Sequence, residues 1–525
     1  MTPEGFTMPP QYAITKTMNY SFLPAALLLA MPDAVSAADL KLATVFSDHM
    51  VLQRETSVPV WGWADPDELV TVIFAGQEKT AKAEADGLWK VVLDPLKTSQ
   101  EPGTLTVKSS RPDRTVTIGD VLVGEVWLGS GQSNMAMAVS RALNLEKEKA
   151  SANLPLIRMF KETSAAAKTP QADSKGRWEV CSPTTVGTFS ATLFFFGREV
   201  QRELGIPVGL INSSVGGTPI ESWIAETAQA SSPPLQAALA EAAKADAGFD
   251  ENAAKAAHAK ALARWQVAAE QAKAAGQPPP RKPVDPLEQR QRKGSAGGLF
   301  NGKIAPLIPF AIRGAVWYQG EANSKTGKGI LYQHQLPLLI RDWRERWGME
   351  FPFAWVQLPN FERPESEWME VREGMLKTLS LPKTGMAITL DIGDPKDIHP
   401  KNKQEVGRRL SLWALGEVYE QKVASTSGPL PTGHTVKGAN IEITFRHTEG
   451  GLVAKGGELR EFVISGTDEV WKPAAARIEG EKVIVSSPSV PQPVAVRYAW
   501  KPNPEASLFN GAGLPASPFR TDGQQ

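Results

Sequence analysis

A chain of 525 residues is too long for one ordinary core and predicts two to four domains. Its 57 basic and 57 acidic side chains cancel, which leaves no basic footprint for nucleic acid. One cysteine, Cys181, excludes an intrachain disulfide and a cysteine-built zinc site, and reads as a small buried residue. In chain order, residues 22–31 form an apolar run of signal-peptide length, too short to span a bilayer. Small residues at Val35, Ser36 and Ala37 place a cut ahead of Ala38, so residues 1–37 read as a signal peptide. No later segment reads as transmembrane, and the mature protein is expected in the periplasm or outside the cell.

Residues 38–118 carry short β-branched runs separated by turn residues, which predicts a small N-terminal β domain. The pattern then changes to alternating strand and helix. Residues 121–128, 208–214, 313–318 and 385–390 are apolar strands that each stop in glycine and polar residues. Repeated strands of this kind, with helical stretches such as 194–204 between them, indicate a parallel sheet covered by helices on both faces. Residues 229–294 interrupt this unit with Ala-, Lys- and Glu-rich helix-forming sequence, ended by Pro278, Pro279 and Pro280. No heptad of large apolar residues runs through it, so it reads as a surface helical hairpin. The catalytic unit therefore divides into 119–228 and 295–425, with a helix beginning near Asn402, and residues 426–525 return to β as a C-terminal module.

In open α/β folds, ligands bind at the carboxyl ends of the strands. Ser133, in Gly131-Gln132-Ser133-Asn134, stands at such an end and is the candidate nucleophile. A serine nucleophile needs a base, an orienting acid and donors for the oxyanion. Six histidines limit the search for the base. His258 falls in the helical insertion, His49, His434 and His447 in the β modules, and His334 in a helix. That leaves His399, in a loop after a buried strand, as the base. Asp397, two residues earlier, is the first choice of orienting acid, and Asp394 the alternative. The Ser133 N–H, the Gly216 N–H and the Gln319 amide come from three strand ends and suit the oxyanion, with Asn323 as the alternative amide. Glu321 reads as a loop-bracing carboxylate. A metal site is not expected, because Asp397 and His399 lack a second histidine nearby.

The segments 131–135, 213–218, 317–321 and 397–400 together resemble the sialate O-acetylesterase family, carbohydrate esterases of the SGNH/GDSL hydrolase superfamily. Residues 46–53, 299–302 and 513–522 add to the resemblance, which covers 43–522 apart from the insertion. It implies an α/β fold with an SGNH-hydrolase, flavodoxin-like α/β/α core, flanked by N- and C-terminal β-sandwich-like modules and interrupted by the helical hairpin. It also implies acetyl-ester hydrolysis without a cofactor. By the same resemblance Ser133 is the nucleophile, His399 the base with Asp397 its partner, and Gly216 and Gln319 oxyanion donors. The superfamily often carries its acid three residues before the histidine, where this chain has Lys396. The substrate is an O-acetylated carbohydrate: acetylated sialic acid first, acetylated xylan or xyloglucan as alternatives. Asn134, Asn323 and Asp394 are further candidates for substrate binding or support, and Arg372 is a candidate cation for a sialate carboxylate. A non-catalytic carbohydrate-binding protein is the reading of a different class.

Overall fold

Seven strands build the central sheet: β1 (Thr115–Gly131), β2 (Leu154–Glu162), β3 (Gly176–Cys181), β4 (Val208–Ser214), β5 (Gly314–Tyr318), β6 (Phe353–Val356) and β7 (Thr384–Ala387). Their order is β3-β2-β4-β1-β5-β6-β7. Every pairing is parallel except that of the edge strand β3 with β2. The structure, a computed structural model, describes residues 39–523. The signal-peptide reading of residues 1–37 lies outside them. Residues Asp39–Gln525 cluster as one unit.

Side chains alternate across a strand, and this sheet sorts them onto two cores. Trp127, Leu210, Val316, Ala354 and Val356 join one apolar cluster, while Val126, Leu128, Ile211, Trp317, Phe353 and Trp355 join the other. Helices α1 (Ala191–Leu204) and α2 (Lys403–Trp413) cover the first face with Phe195, Phe196, Val406 and Leu410. Helices α3 (Tyr332–Trp347) and α4 (Trp368–Thr378) cover the second with Leu336, Ile340, Trp343, Val371 and Met375. Helices on both faces of a mainly parallel sheet are the α/β/α architecture read from the sequence.

The N-terminal β region does not end where the central sheet begins. Strand β1 pairs antiparallel with Ser99–Ser109 over its first half, then parallel with β4 and β5 over its second. Gly124 marks the change of partners, since a Cβ there would lie 2.0 Å from the carbonyl oxygen of Pro207. The break placed at 118/119 thus meets a continuous strand. Between β4 and β5 the insertion forms helices Pro233–Ala247 and Glu251–Ala274, the second with no buried residue. After the α2 helix, two antiparallel four-stranded sheets and one antiparallel two-stranded sheet build the C-terminal region. The helix expected to begin near Asn402 is capped by the Asn402 side chain and ends at Trp413, where a π turn (Ala414–Val418) follows.

Candidate active site

Strand register brings the site together. Gly131 of β1 pairs with Ser214 of β4 on one side and Tyr318 of β5 on the other. One or two residues beyond that level stand Ser133, Gly216 and Gln319. Gly131 has φ +134°, and a Cβ on it would sit 2.2 Å from the Tyr318 carbonyl oxygen, so the turn into Ser133 requires glycine. A short helix, Ser133–Ala136, starts at the nucleophile. Among the described residues, neither the Ser133 N–H nor the Gly216 N–H has a hydrogen-bond acceptor, and a Cβ at 216 would lie 3.4 Å from Ser133 Cβ.

The base arrives from the loop after β7. Arg409 of α2 fixes the start of this loop through paired bonds to Asp391 (2.6 and 2.9 Å) and one to Ile388 O. Near its other end His399 Nε2 stands 2.8 Å from Ser133 Oγ. Asp397 lies on the opposite side of the ring, 3.7 Å from Nδ1, and accepts the His399 backbone N–H at 2.9 Å. Asp394 is turned to the loop itself, where it accepts from Lys396 N and Asp397 N. Of the two aspartates, Asp397 is thus the one beside the imidazole. Partial burial holds His399 below its ordinary pKa; Asp397 opposes this, and the positive charges of Arg141, Lys403 and Arg281 reinforce it.

The two candidate amides are placed differently from their expected use. Gln319 is fully buried, and its Nε2 donates to Asn323 Oδ1 (2.7 Å) and Thr218 O (3.1 Å), with Gln132 Oε1 at 3.2 Å. Asn323 donates to Glu221 and Gln335. Both amides have acceptors for their hydrogens within this brace. Arg372 is also placed elsewhere. It is completely buried, and its guanidinium donates to the carbonyl oxygens of Leu358, Pro359, Lys501 and Pro502, joining α4 to the C-terminal region. Burial without an anionic partner lowers its pKa to about 9. The carboxylate-binding use expected of Arg372 is therefore corrected: no donor is left facing a ligand.

Glu321 and Asn134 do join the Ser133 edge, through a bond of 2.5 Å between Asn134 Nδ2 and Glu321 Oε1. Burial raises the Glu321 pKa. The sequence reading missed Lys403, whose Nζ donates to Asn134 Oδ1 at 2.6 Å and whose pKa burial lowers to about 7. Its one signal was position, four residues after His399 in the first turn of α2. It also missed Arg141 and Arg281. Arg281 follows the proline run of the insertion, which Trp265 holds by donating to Pro280 O at 2.7 Å. Among the described residues, no group of three His, Cys, Asp or Glu side chains is arranged to hold a metal ion.

A serine beside an imidazole at the carboxyl edge of a parallel sheet, within an α/β/α core, defines the class as an SGNH-type hydrolase. The family model for carbohydrate esterase, sialic acid-specific acetylesterase, matches residues 123–256 and 302–415. The sialate O-acetylesterase of Rattus norvegicus is 28% identical over 94% of this chain and 96% of its own, and that of Homo sapiens 28% identical over 94% of each. A crystal structure of a carbohydrate acetylesterase from Xanthomonas citri superimposes with a TM-score of 0.78 at 34% identity, covering 92% of this chain and all of that one. The chain belongs to this family of carbohydrate esterases and is a carboxylic-ester hydrolase.

Proposed function

We propose that this protein removes O-acetyl groups from acetylated sialic acid, with Ser133 as nucleophile, His399 as general base and Asp397 orienting the imidazole. The observation that carries the reading is the 2.8 Å contact between Ser133 Oγ and His399 Nε2 at the glycine-lined strand edge. With its own proton on Nδ1, facing Asp397, the imidazole accepts the Ser133 proton at Nε2 as Oγ bonds to the acetyl carbonyl carbon. The resulting oxyanion takes hydrogen bonds from the Ser133 and Gly216 N–H groups, which have no other acceptor among the described residues. The sugar hydroxyl leaves with the proton from His399. Water, deprotonated by the same imidazole, then releases acetate and restores Ser133. Gln319 and Asn323 keep the edge in shape rather than donating to the oxyanion.

Charge supports an acidic sugar over a neutral one. Arg141 and Arg281 act electrostatically on His399, and Arg363 acts in the same way on Glu321. Their positive charge around His399 and Glu321 favours a sugar that carries a carboxylate over an uncharged one. The division into 38–118, 119–228, 229–294, 295–425 and 426–525 belongs to the same proposal, with one strand, β1, running across its first boundary and the insertion supplying Arg281, whose charge acts on His399. Export rests on the apolar run at 22–31, and among the described residues no helix is long and apolar enough to cross a membrane.

Acetate release from acetylated sialic acid, acetylated xylan and acetylated xyloglucan tests the substrate. Arg141→Ala and Arg281→Ala are each expected to raise KM for the sialate severalfold and to leave KM for an uncharged chromogenic acetyl ester unchanged. Preference for xylan, with both variants behaving as the parent, would transfer the assignment to neutral polysaccharide.

A further inference from the structure

Asn134 makes three side-chain hydrogen bonds, and all are buried or partly buried. Its Oδ1 accepts from Lys403 Nζ at 2.6 Å, and its Nδ2 donates to Glu321 Oε1 at 2.5 Å and to Ile398 O at 3.0 Å. A lysine only donates and a carboxylate accepts, so the amide has a single orientation. The third bond is the one with a consequence for chemistry. Ile398 is the residue before His399, and Asn134 the residue after Ser133. The amide thus ties the turn of the nucleophile to the loop of the base, two segments 266 positions apart.

Lys403 and Glu321 are costly residues to keep there. Both are buried, and burial works against the charged form of each. Lys403 Nζ stands 5.0 Å from the centre of the Tyr318 ring. Among the described residues, neither Glu321 Oε2 nor the Tyr318 hydroxyl has a hydrogen-bond partner. Replacing such buried charged groups together by apolar side chains of similar size is often neutral for stability. What they would not do is fix which way the Asn134 amide faces.

We propose that Lys403 and Glu321 are positioning residues that clamp the Asn134 amide from its two ends and thereby hold His399 against Ser133. Neither touches the reacting atoms. The inference rests on the esterase reading above, and it adds a function for two residues that reading leaves unused.

The full-length protein is compared with Lys403→Met, Glu321→Met, Glu321→Gln and the Lys403→Met/Glu321→Met double variant, using acetate release and an uncharged chromogenic acetyl ester. Lys403→Met and Glu321→Met should each lower kcat about 10- to 100-fold, the scale of a misaligned reacting pair, with KM held within about twofold of the parent. Glu321→Gln, which keeps an acceptor for Asn134, should retain most of the parental kcat. The double variant should be no slower than the slower single, because both residues act through one amide. Lys403→Met leaves the buried Asn134 Oδ1 without its donor and should melt below the parent, so kcat is compared per folded molecule. Parental kcat in both methionine singles, multiplied losses in the double, or a Glu321→Gln as slow as Glu321→Met would each overturn the clamp. If Lys403→Met does not fold, the two Glu321 variants decide alone. A parent enzyme active on acetyl esters with normal methionine variants refutes the clamp and leaves the esterase reading standing; an inactive parent removes both.

Discussion

The central sheet buries a carboxylate at each end, and the two are surrounded in opposite ways. At the amino end, Glu125 pairs in register with Val208, the first residue of β4. It accepts from Arg54 (2.5 Å), from Arg313 twice (2.6 and 3.0 Å), from Tyr419 (3.0 Å) and from Gln53 (3.3 Å). At the carboxyl end, Glu321 has one side-chain donor and an oxygen with no partner among the described residues. Two arginines close the first site completely. The second keeps a polar group under-satisfied beside a serine and a histidine. Buried polar groups are normally paired, and an unpaired one calls for an explanation. The sheet is thus fastened at one end and held ready at the other.

Substitutions at the two ends should separate activity from stability. The largest expected effect is at the carboxyl end: Ser133→Ala should lower acetate release at least about 1,000-fold and leave the melting temperature close to that of the parent. Hydrolysis surviving in that variant would remove the nucleophile assignment. At the amino end, Glu125→Ala leaves two arginines facing each other without a carboxylate. It should cost about 3–5 kcal/mol of stability in denaturant unfolding, with kcat per folded molecule unchanged. A loss of kcat without loss of stability there would erase the contrast between the ends.

The smallest expected effect is a shift along the pH axis. The base works only when neutral, and burial together with Arg141, Lys403 and Arg281 holds His399 below its ordinary 6.5 against the opposing pull of Asp397. The acid limb of kcat/KM should therefore lie below pH 6.5. Lys403→Met removes one cation, so the His399 pKa rises and the limb moves to higher pH. A limb that stays in place or moves downward in that variant would show that Lys403 carries no charge felt by the imidazole.

The sheet was readable because buried strands ending in glycine leave a strong local pattern, and residues 208–214 fall as read while 313–318 carry β5. Ser133 and His399 were readable for a different reason: only six histidines exist, and five fall in the insertion, the β modules or a helix rather than in a loop after a buried strand. The amides were harder. Gln319 and Asn323 sit where expected in the chain, but a carboxamide is equally good at bracing and at binding, and only the identity of its neighbours decides. Arg372 misled because an arginine on a helix after Trp368 gives no sign that backbone carbonyls await it. Lys403 was missed for the converse reason. A lysine in a first helical turn reads as solvated, and its burial depends on Asn134 and on Tyr318 of β5, both more than 80 positions away.

The continuity of β1 gives the N-terminal region a hold over the chemistry that no contact with substrate would give it. Residues 115–123 are hydrogen-bonded into that region, and the same strand, eight residues further on, delivers the turn of the nucleophile. Fraying of one half removes support from the other along a shared backbone. Melting of the N-terminal β strands and loss of esterase activity should then coincide in one cooperative transition, and a chain started at residue 119 would begin with a split strand rather than a domain.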